Sequence, residues 1–310
     1  LNAPTGGRTM ASITHAATAQ AGWRDYLELT KPKVVALMII TSAIGMLLAS
    51  DSAVPWSTLL FGNLGIALCA GSAAAINHVV DRRIDVQMAR TQRRPLAQGR
   101  VAPLNAVLFA MLLGSAGLAV LLSWTNTLTA VLTLGSLLGY ALVYTAFLKR
   151  ATPQNIVIGG LAGAAPPLLG WTAVSGQIDA GGLLLVLIIF AWTPPHFWPL
   201  AIHRKAEYAK VNIPMLPVTH GEHYTKLHIL LYTFILLAVS LLPFVIHMSG
   251  PLYLVAALVL GLRFIDWAIA LLRNSRPHAA IKTFKYSLWY LLWLFVALLL
   301  DHYIEVAGWL

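Results

Sequence analysis

The stretch Asn77-His-Val-Val-Asp81-Arg-Arg-Ile-Asp85 lies where a long apolar segment, roughly residues 61–80, meets the most charged part of the chain. Its three oxygen-bearing side chains are spaced four residues apart. On an α-helix this spacing places them along one face, with a drift of about 40° per step. Oxygen ligands suit a hard divalent cation such as Mg²⁺, which usually keeps water and phosphate oxygens in its other positions. The pattern predicts a magnesium site at Asn77, Asp81 and Asp85; a solvated charge cluster at an ordinary helix end is the alternative.

The loop that follows adds positive charge, with arginines at 90, 93, 94 and 100. Arginine binds phosphate oxygens through a planar fork of donors. These side chains could therefore clamp a diphosphate held by the same metal ion. Arg90 is a candidate for binding the diphosphate.

Composition indicates the class of protein. The 310 residues are 58% hydrophobic and only 10% charged, whereas a soluble domain has about 25% charged residues. We therefore predict an all-α polytopic membrane protein. The net charge of +10 does not indicate nucleic-acid binding, because the basic residues fall in short loops between apolar segments, as the topology of membrane proteins requires. The single cysteine, Cys69, excludes an intramolecular disulfide and gives no zinc pattern.

Nine segments are apolar enough to span a bilayer, for which roughly 20 residues are needed. They are residues 34–50, 57–80, 103–123, 127–147, 156–175, 181–202, 227–248, 251–272 and 286–308. The N-terminal region and the loops after the second, fourth, sixth and eighth segments contain Lys and Arg, whereas the other loops and the C-terminal end contain none. The positive-inside rule then predicts a cytoplasmic N-terminus and an external C-terminus.

Residues 1–22 are rich in Ala, Thr and Gly and hold one Arg and no acidic residue. They lack the apolar core of a secretory signal. We expect a disordered bacterial leader there, followed by a single transmembrane domain over residues 23–310.

Other charged or titratable residues are further candidates. Glu207, in the second large polar loop, could hold a second metal ion or complete the first one's shell; an ordinary surface carboxylate is the alternative. Lys149 and Arg150 close the fourth segment, where topology anchors are also expected. His196 lies inside the sixth segment, and an ionisable residue at that depth suggests a function. A haem ligand, a hydrogen-bonding pocket residue and a structural histidine all remain open for it.

Three patterns inside the segments predict structure. Arg263 and Asp266, three residues apart, are expected to neutralise each other. Gly159 and Gly163 are expected to allow close helix packing, and the pair Pro166-Pro167 is expected to kink the same helix.

Carboxylates and cations at the rim of an apolar bundle suit a substrate with a diphosphate head and an apolar tail. The positive charges would stabilise the head as its C–O bond breaks. A dry interior would protect an allylic carbocation from water. No Ser-His-Asp pattern, nucleophilic cysteine or P-loop competes for this role.

The same residues carry a family resemblance. The run Asn77-x3-Asp81-x3-Asp85 with Arg90-Thr-x2-Arg94-Pro-Leu resembles the first Asp-rich motif of the UbiA-type intramembrane prenyltransferases. Within that superfamily the chain is similar to the haem O synthases over about residues 24–300. The motifs that carry this similarity are Leu29-Thr-Lys-Pro-Lys-Val34, Lys149-Arg-x-Thr152-x2-Asn155-Ile-Val-Ile-Gly-Gly160, Pro195-His-Phe-Trp198, Glu207-Tyr208 and Ile213-Pro-Met-Leu-Pro-Val218.

The resemblance implies nine transmembrane helices around a central cavity in the bacterial inner membrane. It implies transfer of farnesyl from farnesyl diphosphate to a vinyl group of haem b, with addition of water. The product would be haem O for terminal oxidases, and a haem A synthase is a possible recipient.

The resemblance also assigns roles. Asn77, Asp81 and Asp85 would carry Mg²⁺ and diphosphate, and His196 would face the haem. The cations expected to neutralise the leaving group are Arg94, Lys149 and Arg150. The superfamily's second motif often has two aspartates four residues apart, whereas this chain has Glu207 and no acid at 203 or 211. A second magnesium ion is therefore an open question.

Two other functions fit the same sequence. A prenyltransferase acting on an aromatic quinone precursor differs only in the acceptor, and its relatives usually carry a fuller aspartate pattern in the second polar loop. A lipid or haem transporter would favour broken helices in matching positions of two halves. Only the fifth and sixth segments contain such breaks, which disfavours the transporter.

Overall fold

The computed structural model describes residues 21–307, except for the side chains of Ala146 and Arg150. The predicted leader, apart from Ala21 and Gly22, lies outside the described residues. Within that range the chain is helical and contains no strand. The helices are α1 Trp23–Leu29, α2 Pro32–Leu48, α3 Trp56–Asp85, α4 Pro103–Trp124, α5 Thr127–Leu138, a π-helix Gly139–Leu148, α6 Lys149–Ala151, α7 Asn155–Ala164, α8 Pro166–Ser175, α9 Ala180–His203, α10 Lys205–Lys210, α11 Leu216–Thr219, α12 Gly221–Val245, α13 Pro251–Leu272 and α14 Ala279–Val306.

Eight of the described helical segments are long and apolar enough to cross a membrane, and the pair α1–α2, bent by 53°, makes a ninth if it is counted as one span. The predicted nine is the upper of these two counts. Boundaries differ most at α12 and α14, which begin six or seven residues earlier than predicted. Helical hydrogen bonding continues past the apolar stretch there, so hydropathy alone places the start too late.

Several helices begin at proline, which lacks the N–H that would be unpaired in the first turn. Prolines hold the first helical position of α2, α4, α8 and α13. At α5 a side chain supplies the cap instead, because Asn126 Oδ1 accepts a hydrogen bond from the Thr129 amide at 2.9 Å. Such caps satisfy backbone donors that would otherwise be unpaired at a helix start.

The basic loops gather at one end of the bundle. Lys226 Nζ donates to Asn274 Oδ1 at 2.7 Å, which joins the second turn of α12 to the loop that follows α13. Arg100 forms an ion pair with Asp25, which joins the loop after α3 to the N-terminal helix. This agrees with the predicted alternation of basic and uncharged loops. The membrane face on which this end lies remains a prediction.

Three expectations about the segment interiors have mixed outcomes. The helix over 155–175 is interrupted before Pro166, at the position where a kink is predicted, and is divided into α7 and α8. A Cβ on Gly159 would lie 2.1 Å from the Tyr144 ring, which confirms close packing. The expectation for Gly163 is wrong, because no described atom comes within 4 Å of its Cβ position. Arg263 and Asp266 do pair, at 2.5 Å between Nη1 and Oδ2.

Helix α3 brings the acidic residues to the basic end. It has 30 residues, about 45 Å at 1.5 Å per residue, whereas about 20 residues cross the hydrocarbon core. Small residues let it pack closely on α4: a Cβ on Gly117 would lie 2.8 Å from the Gly65 carbonyl oxygen. The last turns of α3 therefore continue beyond the apolar part of a rigid helix pair.

Candidate active site

The last three turns of α3 bury a row of polar side chains. Asn77, Asp81 and Asp85 are only 4%, 1% and 4% exposed. Asn77 Nδ2 donates to Asp81 Oδ2 at 3.0 Å, so the first two lie in direct contact on one helix face. The second carboxylate oxygen of Asp81, Oδ1, is buried and has no hydrogen-bond partner in the described part of the chain. Burying a carboxylate is costly unless positive charge or donors compensate.

Two cations supply that compensation. Lys149 Nζ lies 2.5 Å from Asp81 Oδ2. Arg94 Nη1 donates to both oxygens of Asp85, at 2.9 and 2.8 Å. The structure therefore brings together two acids and two cations that the sequence analysis assigned to the catalytic set.

A third cation at the site is Lys31, to which the sequence analysis gave no catalytic role. Its Nζ donates to Asn77 Oδ1 at 2.5 Å across 46 residues of sequence. Lys31 lies between α1 and α2 with φ 51°, a left-handed conformation that is uncommon for residues other than glycine. Because Pro32 starts the next helix, the chain turns sharply there and directs the lysine toward α3. The Lys-Pro sequence was visible, but the partner across the bundle was not.

The π-helix Gly139–Leu148 packs beside the polar row of α3 and contacts it through Thr145. Thr145, which is fully buried, donates from Oγ1 to the Tyr140 carbonyl five residues earlier at 2.8 Å. The same hydroxyl accepts from Asn77 Nδ2 at 3.3 Å. Segments of π-helix often occur at functional sites. Here the wider turn presents Thr145 to the amide of Asn77 and carries the chain on to Lys149.

The remaining arginines of the loop lie elsewhere. Arg90 is exposed, and within residues 21–307 it makes no hydrogen bond or ion pair with the α3 acids. Arg100 pairs with Asp25 and, at 3.9 Å, with Glu28, so it anchors the N-terminal helix rather than extending the cation set. The loop itself is held by Thr91, whose hydroxyl donates to the Asp85 carbonyl at 3.0 Å.

Two other assigned residues contribute less to the geometry. Arg150 belongs to α6, but its side chain lies outside the described residues. Glu207 is half-buried on α10, and its Oε2 is buried without a described partner. Across residues 21–307 no three His, Cys, Asp or Glu side chains form a ready metal-binding group. The role of Glu207 therefore stays a prediction.

His196 lies inside α9 in an aromatic setting. Its ring stacks on Trp192, with centroids 4.0 Å apart, and on Phe284 of α14 at 4.7 Å. Nδ1 shares a hydrogen bond of 2.7 Å with the Ser287 hydroxyl. The proline-rich part of α9 remains one continuous helix in spite of Pro194, Pro195 and Pro199. Ser287, rather than a backbone carbonyl freed by proline, is therefore the partner of His196.

Comparison with known proteins identifies the family. The profile described as the UbiA prenyltransferase family matches residues 38–299. A protein named protoheme IX farnesyltransferase from Stutzerimonas stutzeri is 73% identical over 295 residues, covering 95% of this chain and 99% of that protein. Protoheme IX farnesyltransferase 1 from Pseudomonas putida strain W619 is 76% identical over 285 residues, covering 92% and 96%.

Solved structures share the fold at low sequence identity. One of a digeranylgeranylglyceryl phosphate synthase has a TM-score of 0.77 at 20% identity and covers 90% of this chain and 98% of its own. One of a UbiA homologue from Archaeoglobus fulgidus, bound to GPP and Mg²⁺, has a TM-score of 0.59 at 16% identity and covers 88% and 99%. The chain belongs to the UbiA prenyltransferase family, on the strength of the match over residues 38–299 and of relatives 73% and 76% identical along nearly all of its length.

Proposed function

We propose that this protein transfers the farnesyl group of farnesyl diphosphate to a vinyl group of haem b, with addition of water, and so makes haem O. The observation that carries the proposal is the buried row Asn77, Asp81 and Asp85 with Lys31, Lys149 and Arg94 around it. The relatives named protoheme IX farnesyltransferase supply the choice of acceptor. We place the protein in the bacterial inner membrane, where its product would pass to a haem A synthase.

The donor set fits Mg²⁺. Hard divalent cations take oxygen ligands, and the row offers amide and carboxylate oxygens on one helix. Asp81 Oδ1 is buried and lacks a hydrogen-bond partner among the described residues, as expected for an oxygen that binds a metal ion. Asn77, Asp81 and Asp85 would hold the ion, with Glu207 as a further candidate ligand. The ion would supply positive charge that stabilises the diphosphate as it leaves.

The protein's own cations would bind and orient the donor. The lysines and Arg94 now contact Asn77 and the two aspartates, so their charge already lies where the diphosphate would bind. Arg94 offers the planar fork that matches phosphate oxygens. The diphosphate leaves with the electron pair of the C–O bond, and preorganised donors stabilise its growing negative charge.

The apolar interior would control the carbocation. The haem vinyl group supplies the electrons for the new C–C bond, and the positive charge then moves to the vinyl carbon next to the porphyrin. Water adds to that carbon and releases a proton. Water must be excluded until the C–C bond has formed, because early capture would yield farnesol. His196, with its stacked aromatic neighbours, is the proposed contact for haem.

Mass spectrometry of haem tests the proposal directly. Membranes of a host that makes haem b but no haem O are prepared with the protein, without it, and with the Asp85→Asn variant. We expect haem carrying the added mass of a farnesyl group plus a hydroxyl group only with the unmodified protein. Unchanged haem in membranes that contain folded protein and farnesyl diphosphate would refute the function. A farnesylated quinone precursor instead would show that the acceptor was misassigned.

A further inference from the structure

Two cavities adjoin helices α1 and α2. An apolar groove of about 790 Å³ runs between α1, α2, α3 and α4, within the roughly 300–1,000 Å³ typical of small-molecule sites. Its walls include Tyr26, Val35, Leu68, Phe109 and Leu113. It opens beside Trp23, which is 71% exposed on α1. A groove of this kind can receive a hydrocarbon chain from the surrounding lipid.

A cationic cavity adjoins the groove. It has a volume of about 410 Å³ and shares the lining residues Leu27 and Pro32 with the groove, so the two cavities are adjacent. Four basic residues line it against one acid, Glu28; they are Arg24, Lys31, Lys33 and Arg94. The combined shape is apolar at one end and strongly positive at the other. That is the complement of an anion on an apolar tail.

His78 is the second observation that points to a ligand. It lines the cationic cavity and is only 2% exposed. Neither ring nitrogen has a hydrogen-bond partner in the described structure. As the neighbour of Asn77 on α3, it points about 100° away from the metal-binding row. Buried polar groups are normally paired, so a ligand that hydrogen-bonds to His78 would complete this cavity.

We propose that the groove and the cationic cavity form an access site at which an isoprenyl diphosphate is received from the bilayer. The hydrocarbon tail lies between α1 and α4, and the diphosphate lies against Lys31, His78 and Arg94. This access site rests on the proposed function in one respect, namely that the substrate that donates the prenyl group is a prenyl diphosphate. Lys31 and Arg94 also contact Asn77 and Asp85. The same cations can therefore pass the head group from the access site to the row on α3.

An adjacent pair of leucines on α4 gives a matched test. Leu113 lines the groove, whereas Leu112 is 68% exposed and does not. In phosphatidylcholine vesicles we expect Leu113→Trp to raise the KM for farnesyl diphosphate about tenfold, with kcat within about twofold of the unmodified value. Leu112→Trp should leave both unchanged. Equal effects of the two variants, or no effect of Leu113→Trp, would overturn the proposal.

The histidine and the apolar groove are tested separately. His78→Phe should raise the inhibition constant of inorganic diphosphate about tenfold and His78→Gln should restore it, since glutamine keeps a hydrogen-bonding group. Leu113→Trp should not change this inhibition, because it alters only the tail site. If the KM effect of Leu113→Trp appears only when the vesicles contain phosphatidylglycerol, the groove binds a phospholipid and the assignment is wrong.

Photolabelling of the unmodified protein avoids any folding defect of a variant. A farnesyl diphosphate analogue with a diazirine at the end of its tail should label peptides from α1 and α4. Labelling confined to α9 and α14 would refute the access site. Labelling at the groove without any modified haem would refute the proposed function and leave the access site intact. Modified haem without groove labelling would refute the access site and leave the proposed function intact.

Discussion

At Asp81 the environment is asymmetric. One carboxylate oxygen receives the Lys149 ammonium group and the Asn77 amide, whereas the other is buried and has no partner in the described structure. Protein groups therefore compensate only part of the cost of burying this charge. A bound cation would compensate the rest, which makes this residue the most sensitive point of the proposed metal site.

Replacement of Asp81 by asparagine removes the charge and keeps the shape. We expect Asp81→Asn to lower turnover by a factor of about 100 or more, in the range seen when one electrostatic contact to a transition state is lost. Purified protein is assayed for farnesylated haem, and circular dichroism checks the fold. Asp266→Asn is the matched control, because this partly exposed aspartate on α13 pairs only with Arg263 and Arg276 among the described residues. Turnover by Asp81→Asn close to that of the control would disprove the role.

Thr145 acts through Asn77 rather than on the substrate. Its hydroxyl accepts from the Asn77 amide and so turns Oδ1 of Asn77 toward Lys31. We expect Thr145→Val to weaken Mg²⁺ activation about tenfold, as outer-shell substitutions at metal sites do, and Thr145→Ser to restore it. The measurement is the concentration of Mg²⁺ that gives half-maximal activity.

Thr133→Val is the control for that experiment. Thr133 is 2% exposed, and its hydroxyl has no partner within the described range, so its loss should not change Mg²⁺ activation. Two outcomes would mean that Thr145→Val only disturbed packing. Either Thr145→Ser fails to restore Mg²⁺ activation, or Thr133→Val weakens it by the same amount.

The His196 ring is stacked between Trp192 and Phe284 and is only 7% exposed. We expect His196→Ala to weaken haem binding about tenfold, the size of effect expected from a lost aromatic contact, with farnesyl diphosphate affinity unchanged. Ser287→Ala keeps the ring but removes its Nδ1 partner, so it should have a smaller effect. Haem titration followed by absorbance measures both. Unchanged haem affinity in His196→Ala would leave the histidine with a structural role.

Helices α2 and α8 cross at two glycines, whose lack of a side chain lets the two backbones approach closely. A Cβ on Gly45 would lie 2.1 Å from the Pro167 carbonyl oxygen, and one on Gly170 would lie 2.0 Å from that of Ser42. Two backbones are thus in contact without a side chain between them. Such contacts drive helix association in membranes, where lipid competes equally for apolar side chains.

Gly45→Ala tests this crossing. The added methyl group must push the backbones apart, which we expect to lower the free energy of unfolding by about 1–3 kcal/mol. Gly135→Ala is the control, because no described atom lies within 4 Å of that Cβ position. Unfolding in mixed micelles with increasing denaturing detergent gives both values. Equal stability of the two variants would show that the contact is not needed.

For the whole molecule, the gathering of basic loops at one end predicts its orientation. In a Cys69→Ala background, Lys210→Cys should react with an impermeant maleimide only from the cytoplasmic side, and Gln177→Cys only from the external side. Both positions are exposed, and a permeant maleimide should label both from either side. Inside-out and right-side-out vesicles provide the measurement. The opposite pattern would reverse the proposed topology.

The sequence alone predicted the number of spans, from hydropathy, and the row Asn77, Asp81 and Asp85, from residue spacing. Both signals are local, because each lies within a single helix. The partners of that row were decided by tertiary structure. Lys31 reaches Asn77 from 46 residues away, and Arg100 binds α1 instead of joining the cation set. These contacts depend on how helices cross and on where the loops between them run. Neither leaves a periodic signal along the chain, so only the packed bundle determines which charges meet.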